Sequence, residues 1–157
     1  MSYSSPPAGL AIEARACAPS WRWRQRVVAV VVGGMLVALL VTAARLTPSS
    51  AGLGTHQQLG LPPCTVLDWF GIRCPSCGMT TSWAHMVRGH VLAAMRANAG
   101  GALLAVAAAA CGPWLVASGV RGRWLIMRPV EGIVVAVGLT IIVVTLVQWT
   151  LRLSLGW

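Results

Sequence analysis

The chain has 157 residues, 57% of them hydrophobic and only 10% charged, against a charged share of roughly 25% in an average soluble domain, so water is not its main solvent. Its formal net charge of +9 rests on arginine alone, because the sequence contains no lysine. Those arginines bracket apolar runs and form no continuous hydrophilic patch, which excludes a nucleic-acid grip and makes a lipid bilayer the expected partner.

Residues 1–20 mix Ser, Pro, Ala and Gly without hydrophobic periodicity and read as a disordered N-terminal tail, with Cys17 an unpaired cytoplasmic thiol. Residues 21–44 read as the first transmembrane helix: Val27–Ala44 carries no charge for 18 residues, which gives about 27 Å of helix, close to the hydrocarbon thickness of a bilayer. An arginine-rich front and the small residues Thr42, Ala43 and Ala44 also suit a signal peptide, but signal-peptide apolar cores run only about 7–15 residues, so a retained anchor is expected.

Residues 45–96 form a loop between spans, holding C64-x9-C74-P-S-C77-G78 and then a short amphipathic helix. Met79, Trp83, Met86 and Val87 recur at helical spacing, with Thr81, Ser82, His85 and Arg88 on other faces. This helix is expected to lie on the bilayer surface. Residues 97–119 form the second apolar run, which Pro113 is expected to kink, with Cys111 a small buried packing residue. Residues 130–149 form the third, with Pro129 and Glu131 placed like first-turn residues and L151-R-L-S-L-G-W as a tail. The fold class is thus an all-α integral membrane protein with three transmembrane helices plus a short interfacial helix.

Arg15, Arg22, Arg24 and Arg26 precede the first span, and Arg121, Arg123 and Arg128 fill the short connection before the third. The positive-inside rule then puts the N-terminus in the cytoplasm and the cysteine loop outside the cell membrane. The missing lysine matches a GC-rich bacterial genome, so the membrane is expected to be a bacterial inner membrane.

The Cys-Pro-Ser-Cys-Gly turn points two sulfurs to a common side, an arrangement that suits a metal or a disulfide. With Cys64 there are three sulfurs, and a zinc site built on them needs a fourth ligand. His85, eight residues beyond Cys77, would stand about 12 Å along a helix and is too far; His90 is further still, and His56 is the candidate. A helix N-terminus would lower the thiol pKa of Cys74 or Cys77 and favour thiol–disulfide exchange. No βαβ pattern surrounds them, which excludes a thioredoxin fold, and Cys64 alone supplies no second pair for electron relay. A structural disulfide or metal knuckle, a membrane thiol–disulfide oxidoreductase, and a metal sensor or transporter accessory all remain open, the first taken as non-enzymatic and working with another membrane protein. Cysteine hydrolysis does not, because no acid lies near His85 or His90 to orient a base. Asn98 reads as the start of the second span and, with Pro75, Gly78 and Thr80, as support for the cysteine motif.

Cys64, then C74-P75-S76-C77-G78-M79-T80, a short helix ending at R88-G89, and A94-M95-R96-A97-N98 before an apolar helix resemble the bacterial domain-of-unknown-function family 2752, a small helical membrane domain. The resemblance spans about residues 60–148 and implies that Cys64, Cys74, Cys77, Gly78 and Thr80 act as one unit, while implying no activity. Thr81 stands where that family commonly has Arg, and Ala99 where it commonly has Pro.

Overall fold

The computed structural model describes residues 22–125 and 131–155. Cys17 and the rest of residues 1–20, Arg128, Pro129, the side chain of Glu131 and the last two residues lie outside the described residues. Within them the chain is all-helical, in the order α1 (Trp23–Arg45), a 3-10 turn (Thr55–Leu59), α2 (Thr65–Phe70), α3 (Met79–Met86), α4 (Val91–Ala97), α5 (Ala99–Arg121) and α6 (Glu131–Leu155). Three of these, α1, α5 and α6, are long and apolar enough to cross a membrane. The α5 helix runs through Pro113, so the missing donor interrupts one ladder bond without ending the span. The α6 helix continues six residues past Trp149, which makes most of the expected tail the last turns of the third span.

The core is a close antiparallel crossing of α1 and α5. A Cβ added at Gly33 would meet the Gly112 carbonyl oxygen at 2.7 Å and the Leu115 Cβ at 2.9 Å. Side chains in lipid gain little from avoiding solvent, so such backbone approach is what holds two spans together. Toward the cysteine end, Ala43, Trp83, Ala105 and Ala108 form a buried cluster. Cys111 is exposed: the packing face of α5 belongs to Gly112 and Ala108, one and three residues away, and the expected buried packing role falls to them.

The short α3 helix sits differently from its expectation as a surface helix. Its Thr81 and Ser82 are completely buried, as is Ala84, because α1, α4 and α5 pack around it. The two hydroxyls are satisfied there: Thr81 shares a 2.8 Å hydrogen bond with Thr55, and Ser82 donates to the Asn98 carbonyl at 2.9 Å.

A chain with 12 arginines and 3 acidic residues needs another partner for its cations, and the last carbonyls of the helices supply it. Arg26 donates to the Gly119 and Val120 carbonyls at the end of α5. Arg88 donates to those of Ala43 and Ala44 at the end of α1. Arg152, 8% exposed, donates to those of Arg96 and Ala97 at the end of α4. Each guanidinium meets carbonyls that have no partner inside their own helix, at the negative end of its dipole.

The α6 helix is fastened mainly at its cysteine-side end. The Gln148 amide accepts from Ala99 N at 2.7 Å and donates to the Met95 carbonyl at 2.9 Å, and the Trp149 indole donates to the Arg73 carbonyl at 2.6 Å. Gly100 leaves room for Thr145, whose hydroxyl a Cβ would strike.

Candidate metal centre

The loop that carries the sulfurs is built from two turns. Cys64 is the N-cap of α2, and the Asp68 N–H returns to its carbonyl. Cys74 to Cys77 make a tight turn closed by Cys77 N–H to the Cys74 carbonyl at 3.0 Å, with Pro75 fixing one φ inside it. Gly78 then takes φ +84°, and a Cβ there would lie 2.5 Å from the Ala97 carbonyl oxygen and 2.7 Å from that of Gly52. Only glycine meets both the left-handed backbone and that close approach.

These turns bring the three sulfurs together. Cys64 Sγ lies 3.5 Å from Cys74 Sγ, which lies 3.0 Å from Cys77 Sγ, and all three are within 4.8 Å of one another. A disulfide needs about 2.05 Å. Three sulfurs around one zinc ion with bonds of about 2.3 Å stand roughly 3.8 Å apart. The separations observed are nearer the second arrangement, and all three are free thiols.

The sulfurs face a cavity of about 260 Å³, whose wall includes His56, Thr80 and Thr81. His56 does not join the sulfur cluster. Its Nε2 lies 3.2 Å from the Pro62 carbonyl, which can only accept, so Nε2 is the donor there and Nδ1 is the ring nitrogen left for another partner. His85 and His90 stand apart, with ring centroids 5.9 Å from each other, and His85 opens on a different cavity.

The thiols are unequal, and not in the expected way. Because α3 begins at Met79, two residues past Cys77, the Cys77 thiol gains no help from that helix; burial, then the neighbouring Cys74 and Cys64, push its pKa up to about 12. The Cys64 thiol is held low, chiefly through the Leu67 backbone N–H and then the Cys74 and Cys77 side chains.

Asn98 joins this loop to the second span. It is 2% exposed; its Oδ1 accepts from Gly101 N at 2.8 Å, capping α5, and its Nδ2 donates to the Pro75 carbonyl at 3.0 Å and the Cys77 carbonyl at 3.3 Å. One side chain therefore sets both the start of α5 and the backbone of the cysteine turn. The sequence reading named it both as the start of the span and as support for the motif, without the two carbonyls it holds. It missed Gln148, Trp149 and Arg152, although polar residues four apart beside a tryptophan, at the end of an apolar run, mark one helix face that meets protein.

The fold and site define an all-helical protein of multi-pass membrane type with a tricysteine loop at one end of its bundle. Residues 64–112 match the family described as a protein of unknown function, DUF2752, a segment from the first loop cysteine to the glycine that packs against α1. No curated protein and no solved structure matches the chain.

Proposed function

We propose that the chain is a non-enzymatic membrane module whose cysteine loop holds one metal ion, zinc by the chemistry of its donors, on Cys64, Cys74 and Cys77. The convergence of three thiols within 4.8 Å carries this reading, since soft thiolates in a closed turn select zinc over hard cations. The fourth position opens on the cavity, where a water or His56 Nδ1 completes a tetrahedron; a backbone carbonyl on the other ring nitrogen is the usual support of a metal-bound histidine. The ion ties α2 and the turn before α3 into one unit, which Asn98 passes on to the second span, and the module so held presents a fixed outer surface to another membrane protein. We place the N-terminus in the cytoplasm of a bacterial cell and the loop outside: seven of the 12 arginines precede the first apolar run of the sequence or fall between the second and the third, and at the other end Arg88 and Arg152 are engaged as helix caps.

Thiol–disulfide exchange on Cys74 and Cys77 is the competing reading, favoured by their 3.0 Å separation. The test is metal content and free thiols of the full-length protein purified in detergent without reductant. About one zinc per chain, lost together with thermal stability on chelation, is expected, and His56→Ala reports whether the imidazole is the fourth ligand. A metal-free protein with a reducible Cys74–Cys77 disulfide overturns the metal reading in favour of exchange.

A further inference from the structure

The loop that carries the sulfurs turns an apolar face outward. In α2, Val66, Trp69 and Phe70 stand at i, i+3 and i+4 and so share one side of the helix; they are 36, 78 and 69% exposed. Leu67, on a neighbouring side, lines the sulfur cavity, and Asp68 falls opposite the exposed face, itself open to solvent. Ile72, also exposed, extends the patch toward Arg73. An amphipathic helix in water turns its apolar side to the core, and α2 turns it away.

The level of this loop in the membrane is fixed by α6. The Trp149 indole donates to the Arg73 carbonyl at 2.6 Å, and the adjacent Gln148 amide donates to the Met95 carbonyl at 2.9 Å. Both ties sit where the apolar run of α6 ends. Residues 133–147 carry no charged or amide side chain, which gives about 22 Å of helix, and a tryptophan at the end of such a run marks headgroup depth. Leu151, Leu153 and Leu155 remain exposed beyond it, so the apolar surface of the span reaches past the tie. Phe70 and Trp69 are three and four residues from Arg73, a reach of at most about 14 Å. The α4 helix, held at the same level through Met95, repeats the pattern with exposed Val91 and Leu92. A patch joined at headgroup depth to a span whose apolar length is unburied within the protein meets lipid, and indole and phenyl rings are the side chains favoured there.

We propose that α2 lies in the lipid–water interface at the cysteine end of the bundle, with Val66, Trp69, Phe70 and Ile72 inserted among the lipids and Asp68 turned to water. The place on the bilayer surface that the sequence suggested for α3 thus belongs to α2. Because Cys64 caps α2, the three sulfurs are held at the membrane surface beside the inserted face. The proposal stands whether or not the sulfurs hold a metal.

The test uses the full-length protein alone in phosphatidylcholine vesicles. Trp69 emission is taken as the wild-type spectrum minus that of Trp69→Phe, and is challenged with phosphatidylcholine brominated in its acyl chains and with aqueous iodide on both sides of the vesicle. Loss of the difference emission to the brominated lipid and its survival in iodide are expected. Quenching by iodide assigns the face to water, open to a partner protein; quenching by neither assigns it to contact with a second copy of the chain. Either result overturns the proposal. Should Trp69→Phe alter the fold, read as a changed gel-filtration peak or thermal midpoint, the unaltered protein is irradiated in vesicles whose lipid carries a diazirine on the acyl chain. Label on Trp69 or Phe70 as well as on α6 is expected there, and label on α6 with none on residues 66–72 overturns the proposal.

Discussion

Replacing Asn98 tests whether one side chain couples the cysteine turn to the second span. Asn98→Ala removes the acceptor for Gly101 N and the donors to the Pro75 and Cys77 carbonyls. A lost N-cap costs about 1 kcal/mol, and two carbonyls left without their donor at a site this enclosed add about 1 kcal/mol each, roughly 3 kcal/mol in all. Asn98→Asp separates the two roles: it keeps the shape and the cap acceptor, but it offers no donor and turns a carboxylate toward two carbonyl oxygens. Both variants are therefore expected to unfold at lower temperature than the wild type and to lose zinc, with the aspartate variant no better than the alanine one despite its cap. The assay is the midpoint of tryptophan fluorescence at one fixed scan rate in detergent, paired with zinc per chain. An Asn98→Asp protein with wild-type midpoint and zinc would reduce the residue to a cap, and Asn98→Ala within about 0.5 kcal/mol of wild type would refute both roles, because that is the range of an uninvolved surface change.

Gly78→Ala is expected to disperse the sulfurs and abolish zinc binding, because its Cβ meets two carbonyl oxygens at 2.5 and 2.7 Å; Gly71→Ala, at φ +66° with open space around it, should cost only the left-handed backbone, about 1–2 kcal/mol. Gly33→Ala is expected to push α1 off α5 and lower the thermal midpoint, whereas Gly34→Ala, with nothing within 4 Å, should be neutral or slightly stabilising by helix propensity; equal behaviour of the two would remove the close crossing as the cause. Burial, then the charges of His90 and Arg88, hold the His85 pKa below its ordinary 6.5. The unfolded chain then binds the proton first, so this contribution to stability is full above that ordinary value and is lost as pH falls below it through the lower folded-state pKa. Midpoints at pH 7.5 and 5.5 should differ in the wild type and differ less in His85→Gln.

The three spans were legible because crossing a bilayer imposes a length and an apolar run on the local sequence, and both can be counted. The three cysteines were legible as a group for a similar reason: they lie within 14 residues, and the proline and glycine of their turn announce its geometry. What the sequence did not carry was the pairing of distant registers. Thr81 and Ser82 read as an outer face because amphipathicity is judged against solvent, whereas here α1, α4 and α5 surround them and each hydroxyl finds one partner. Cys111 read as packing because α5 is small-residue-rich all round, and only the crossing with α1 decides which side is inside. The clasp of Gln148, Trp149 and Arg152 joins groups 49 to 76 residues apart, a distance over which periodicity says nothing.

That clasp also gives assembly an order in time. The sulfur turns, the glycine at their exit and the asparagine behind them all precede residue 102, so they can meet as soon as the second span follows the first out of the ribosome. The third span arrives afterwards, with its amide, indole and guanidinium already spaced along one face, and fastens over carbonyls that the earlier chain has set in position. A polypeptide made from one end to the other thereby receives its latch last.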